Sequence, residues 1–147
     1  MLRTRWLVPG FSALLLGILM VSCGGLGSYA AALDGTNWTL ESISGAQPLA
    51  STTITLTFDG GTVGGSGGCN SYGGKFTATD TELAFSNLSS TEMACETAIM
   101  AQEASFFAAL GSEVTYQRSD TSLGLTNRVN SQVLVFVPTV TDSASLP

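Results

Sequence analysis

The side chains that could do chemistry are few, and the densest concentration is Gly60 to Phe76, GGTVGGSGGCNSYGGKF. Glycine-rich loops serve phosphate cradles, metal sites and plain turns, and each makes a different demand on its neighbours. A phosphate loop of the Gly-x4-Gly-Lys-Ser/Thr kind needs a glycine where Cys69 stands and a hydroxyl where Phe76 stands. The dinucleotide fingerprint GxGxxG fails in every register of the stretch, and no β-α-β alternation surrounds it. Zinc needs about four nitrogen or sulfur ligands, yet the chain has no histidine and three cysteines. The missing histidine also removes Ser-His and Cys-His nucleophile pairs. Ser71 stands four residues before Lys75, one too many for Ser-x-x-Lys. Glu92 with Glu96 and Asp80 with Glu82 are spaced to meet, but charged pairs beside turns are ordinarily solvated. The composition therefore points to no catalytic residue, no metal and no cofactor, and the glycines read as structural punctuation.

The three cysteines fall into two groups. Cys23 closes an N-terminal segment with Arg3 and Arg5, an uncharged apolar run from Phe11 to Val21, and Met20-Val21-Ser22 directly before it. That run is shorter than the roughly 20 residues a bilayer-spanning helix requires, so residues 1–22 read as a secretory signal. The ending resembles a bacterial lipobox, which makes Cys23 the acylated, palmitate-bearing first residue of the mature chain. Cleavage after Ala30-Ala31-Ala32 is the alternative. Residues 24–32 then form a small-residue linker reaching roughly 30 Å when fully extended. The mature chain keeps Lys75, Arg118 and Arg128 against eleven acidic residues, a net charge of 3 − 11 = −8. So acidic a surface excludes nucleic acid as a partner and leaves the lipid to supply membrane attachment. The expected location is the cell envelope, outside the cytoplasm: the outer membrane where there is one, otherwise the outer face of the plasma membrane.

Cys69 and Cys95 remain. In an exported, oxidising compartment they are suited to a disulfide, and two buried thiols that merely pack are the alternative.

The elements that must carry these residues show period-two patterning. Trp38–Leu40, Ile54–Phe58, Phe76–Ala78, Leu83–Phe85, Val114–Tyr116 and Leu123–Leu125 alternate large apolar with small or polar residues, as half-buried strands do. Val133–Val137 is continuously apolar and reads as a strand covered on both faces. Thr97–Leu110 alone has helical spacing, with Gly111 as a stop, and reads as one amphipathic helix packed on the sheet. Gly60-Gly61 suits a hairpin turn with positive φ, Gly73-Gly74 a bulge before the Phe76 strand, and Gly64–Gly68 a sharp bend with close backbone approach. The expectation is a mainly β (α+β) fold: an antiparallel, barrel-like curled sheet of seven to eight strands with one helix.

The ordered segments GTNWTLESISG, ITLTFDGGTVGGSGGCNSYGGKF, STEMAC and LVFVP resemble the META domain, the HslJ-like family. The resemblance runs from Leu33 to Pro138 and rests on Trp38, Gly68, Cys69, Asn70, Tyr72, Gly73, Gly74, Thr91, Met93 and Cys95. It implies a compact antiparallel barrel with one helix, no catalytic residues, and an association with heat shock, envelope stress and novobiocin resistance. The organisation expected is a signal over 1–22, a lipidated cysteine and linker over 23–33, the domain over 34–138 and a flexible tail over 139–147. Two functions follow. One is a non-enzymatic envelope lipoprotein that binds or supports another envelope component. The other is a carrier of a small apolar ligand inside the barrel, which fails if Trp38, Phe58, Phe76, Phe85 and Phe106 converge to fill the interior.

Overall fold

The structure, a computed structural model, describes residues 32–111 and 113–140. The signal segment, Cys23, most of the linker and the tail beyond residue 140 lie outside the described residues.

Eight strands form a closed antiparallel barrel in which every strand pairs with its sequence neighbours and β1 closes on β8. They are β1 (Thr36–Ile43), β2 (Thr55–Asp59), β3 (Thr62–Ser66), β4 (Ser71–Ala78), β5 (Glu82–Ser90), β6 (Val114–Arg118), β7 (Leu123–Asn127) and β8 (Val133–Pro138), with helix α1 (Thr97–Leu110) between β5 and β6. The alternation fixes the register. Trp38 stands opposite Leu56, Leu40 opposite Phe136, Phe76 opposite Phe85 and Leu125 opposite Leu134. A slip of one residue would turn each of these sets out to water.

The inward set fills the barrel. Phe58, Phe106 and Phe136 are fully buried, Trp38 and Phe76 nearly so, and Phe85 is half-buried against the same cluster. Phe58 and Phe76 meet edge to face at 4.7 Å between ring centres. Leu33, assigned to the linker on composition, is also fully buried.

Two sequence expectations need correction. In β8 only Leu134 and Phe136 are buried, whereas Val133, Val135 and Val137 are half-exposed, so the strand is covered on one face and not on both. Its unbroken apolar run reflects β-branched residues on a pleated outer surface. The second concerns the bend expected over Gly64–Gly68: Gly64 and Gly65 lie inside strand β3, paired with Gly73 and Tyr72, and only Gly67 and Gly68 belong to the β3–β4 loop. The glycines otherwise behave as their neighbours demand. Gly60 and Gly61 turn the β2–β3 hairpin at φ 55° and 78°, and β4 bulges between Gly73 and Lys75. Gly65, at φ 151°, passes so close to β2 that a Cβ would stand 2.3 Å from the Thr55 carbonyl oxygen.

The meander gives the barrel two unlike ends. Leu33, the β2–β3, β4–β5 and β6–β7 hairpins and the end of β8 share the end where the N-terminal segment enters. The long β1–β2 connection, the β3–β4 loop, α1 and the β7–β8 turn share the other, here called the distal end. Helix α1 closes the distal end with Phe106, Ala109 and Leu110. It is tied there by polar side chains. Asn127 at the end of β7 donates from Nδ2 to the carbonyls of Ala108 (3.1 Å) and Ala109 (3.2 Å), two acceptors that a helix C-terminus leaves unpaired. Gln102 accepts from the Leu49 amide (2.6 Å) and donates to Thr52 Oγ1 (2.8 Å), binding the β1–β2 connection to the helix.

Candidate functional site: a buried polar clamp at the distal end

The cysteine of the glycine-rich stretch sits in the β3–β4 loop, where Gly67 N–H donates to the Asn70 carbonyl at 2.7 Å and Gly68 adopts φ 106°. Cys69 is joined to Cys95 in a disulfide, with Cα atoms 6.0 Å apart. The bond ties this loop to the segment that leads into α1 and settles the choice between paired and separate thiols.

Beside the disulfide lies a network centred on Asn70 and Glu103, each only 7% exposed. Glu103 projects from α1 and accepts from the Asn70 amide at 2.6 Å, the Cys69 amide at 3.3 Å and Asn70 Nδ2 at 2.7 Å. Asn70 Oδ1 in turn accepts from the Met93 amide (2.7 Å) and the Thr91 hydroxyl (2.8 Å). The amide orientation is forced, because the Met93 N–H can only donate and the Glu103 carboxylate presents acceptors. One asparagine thereby bridges the β3–β4 loop, the β5–α1 segment and the helix. Gly67 is part of the fit: a Cβ there would stand 2.5 Å from Glu103 Oε1.

Tyr72 seats the clamp on the core. Its hydroxyl donates to the Thr55 carbonyl (2.8 Å), and its ring meets Phe106 and Phe107 edge to face at 5.6 and 5.4 Å. Burial pushes its phenol pKa well above the ordinary tyrosine value.

Of the residues singled out by sequence, Gly68, Cys69, Asn70, Tyr72, Thr91, Met93 and Cys95 are thus brought together. Gly74 stands apart, under Leu88 of β5, where a Cβ would meet Leu88 Cδ2 at 2.8 Å. Trp38 lies in the barrel wall, its Nε1 donating to Thr36 Oγ1 (2.8 Å) and the Arg118 guanidinium 5.8 Å over its ring. Arg118 also donates to the Ala32 carbonyl. Glu82 pairs with Arg128 at 3.0 Å on the surface.

Glu103 is the site residue that sequence reasoning missed. The signal was present: Glu103 falls four residues after Ile99 and three before Phe106, on the stripe that the helix buries. A carboxylate on an apolar stripe announces waiting donors. They are the backbone amides of a glycine loop, which pattern alone does not reveal.

The META domain family model matches residues 31–140. The chain belongs to the META domain family. Two solved structures share this META fold. The NMR structure of a protein from Burkholderia xenovorans is 28% identical over 76% of this chain and 86% of that one, with a TM-score of 0.63. A second protein structure, also from NMR, is 21% identical over 74% of this chain and 92% of its own, with a TM-score of 0.62. No curated protein matches the sequence. In this META domain, the motif residues of the β3–β4 loop and the STEMAC segment are the two halves of one clamp, and Glu103 is the side chain that closes it.

Proposed function

We propose that this META domain is a lipid-anchored, non-enzymatic envelope module that binds or supports another envelope component with its outer surface. One observation carries the reading. The barrel interior is occupied by Trp38, Phe58, Phe76 and Phe106, with Phe85 against them, so what the domain offers a partner is its exterior. The same filling speaks against the carrier reading, which needs that space for a ligand. The most suggestive polar group, the Glu103 carboxylate, is taken up by three donors from the β3–β4 loop and acts as a fastening. A role in heat shock or envelope stress is in keeping with the family.

Anchoring is tested by replacing Cys23 with Ser. The variant is expected to leave the membrane fraction or to accumulate as a larger precursor, and unchanged partitioning with unchanged size would refute lipidation at this residue.

A further inference from the structure

The barrel is closed unevenly. Strand β5 pairs with β4 from Leu83 (opposite Ala78) to Ser90 (opposite Tyr72). On its other side it pairs with β6 at Glu82 and Leu83 alone, because β6 begins at Val114. From Ala84 to Ser90 the side of β5 turned toward β6 therefore has no strand partner in the barrel, and an open strand edge presents backbone donors and acceptors to any extended chain. Natural edges are commonly blunted by lysine or proline. Ala84–Ser90, AFSNLSS, contains neither and has no charge. Its one irregularity is Asn87, at φ 53°, beside the bulge opposite Gly74.

Two grooves follow this edge. One, of about 340 Å3, lies where β6 stops and is lined by Ala84, Glu113 and Val114 among others. The other, of about 200 Å3, lies between Leu88–Ser90 and Phe107 of α1. Leu88 is 37% exposed and Phe107 half-buried, so the second groove has an apolar floor. Glu113 stands at the first groove, and Glu92 and Glu96 follow Ser90 along the chain. Glu82 is paired with Arg128, but Glu92, Glu96 and Glu113 have no ion pair among the described residues. Two cations stand nearby: Arg128, which lines the first groove and is held by Glu82, and Lys75 of β4, opposite Ser86.

We propose that this edge is a docking site for an extended, positively charged segment of an envelope partner. The segment adds a strand along Ala84–Ser90, places an apolar side chain between Leu88 and Phe107, and sets basic residues against the flanking glutamates. The inference rests on the binding reading above and adds the place and the chemistry of the partner. Charge complementarity selects the occupant, since the acidic mature chain repels a second copy of itself and attracts a cationic segment.

The test is photo-crosslinking of the full-length lipoprotein in the producing cells, with a benzophenone side chain introduced singly at positions 86, 90, 121 and 129. Adducts from 86 and 90 to a basic segment of another protein are expected. They should fall by about tenfold or more in a Leu88→Lys background, which sets a like charge on the edge. Adducts from 121 or 129 but not from 86 or 90 would overturn the edge while leaving the binding reading standing. No adduct from any position would remove both. Adducts with twice the chain mass, or to an acidic or uncharged segment, would overturn the stated partner chemistry.

Discussion

Replacing Glu103 by Gln tests the clamp with the loss of one oxygen's acceptor capacity and almost no change of shape. The glutamine carbonyl can still accept from the Asn70 and Cys69 amides, as Glu103 Oε1 does at 2.6 and 3.3 Å. Its NH2 then faces Asn70 Nδ2, the donor that Oε2 accepts from at 2.7 Å, so donor meets donor. Asn70 cannot relieve this by turning its amide over, because its Oδ1 is already required by the Met93 amide and the Thr91 hydroxyl. A buried hydrogen bond to a charged group contributes about 1.5–3 kcal/mol, and a buried donor left unpaired costs about 1–3 kcal/mol. Allowing for partial relaxation of the loop, Glu103→Gln should destabilise the domain by about 2–4 kcal/mol. Glu103→Ala should cost at least as much, since three donors lose their acceptor. Urea unfolding of the oxidised domain, monitored by tryptophan fluorescence, measures both. A double-mutant cycle with Asn70→Ala should return a coupling on the order of 1 kcal/mol or more. If Glu103→Gln stays within about 0.5 kcal/mol of the parent, Glu103 is not the fastening described here.

Reducing the Cys69–Cys95 bond, which spans a sequence separation of 26, should lower stability by about 3.5 kcal/mol on the chain-entropy model and leave the barrel folded, as unfolding with and without reductant will show. Gly65→Ala combines a left-handed φ with a Cβ placed 2.3 Å from the Thr55 carbonyl oxygen, so a loss of about 2 kcal/mol or more is expected in the same titration. Tyr72 carries an alkaline signature. Its phenol keeps its proton in the folded state after an unfolded tyrosine releases one near pH 10. The unfolded chain then binds fewer protons than the native one, and stability falls as pH rises past that value. Tyr72→Phe should cost about 1 kcal/mol at neutral pH through the lost bond to Thr55 and should flatten the decline between pH 9 and about 11.

Most of the fold was legible because each barrel strand buries one face, and period two is then visible wherever side chains are large. Trp38–Leu40, Leu83–Phe85 and Leu123–Leu125 are strands for that reason, and α1 spans Thr97–Leu110 as its spacing and Gly111 indicate. Legibility failed where side chains are small. Strand β3 is written TVGGS and contributes little but Val63 to the core, so no alternation marks it. At the clamp, Asn70, Thr91 and Met93 could be picked out by family resemblance, but their partner could not. Glu103 is 33 residues away from Asn70 in the chain, and the contact depends on how a loop of glycines presents its amides to a helix.

Seven of the eight strand pairings join neighbours along the chain, and the eighth, β1 with β8, sets Trp38 opposite Pro138 across a hundred residues. Most of the seven close short loops, and even β5 with β6 spans only the connection that carries α1, whereas the last must wait for the most distant segment. The rate of reaching the finished barrel is thus governed by the arrival of Val133–Pro138. Until that moment the outer edges of β1 and β7 are both sticky. A molecule that stops short of residue 133, through premature termination or clipping, would retain nearly the whole aromatic interior yet expose two long strand margins. Such a species is poised to join its own kind end to end.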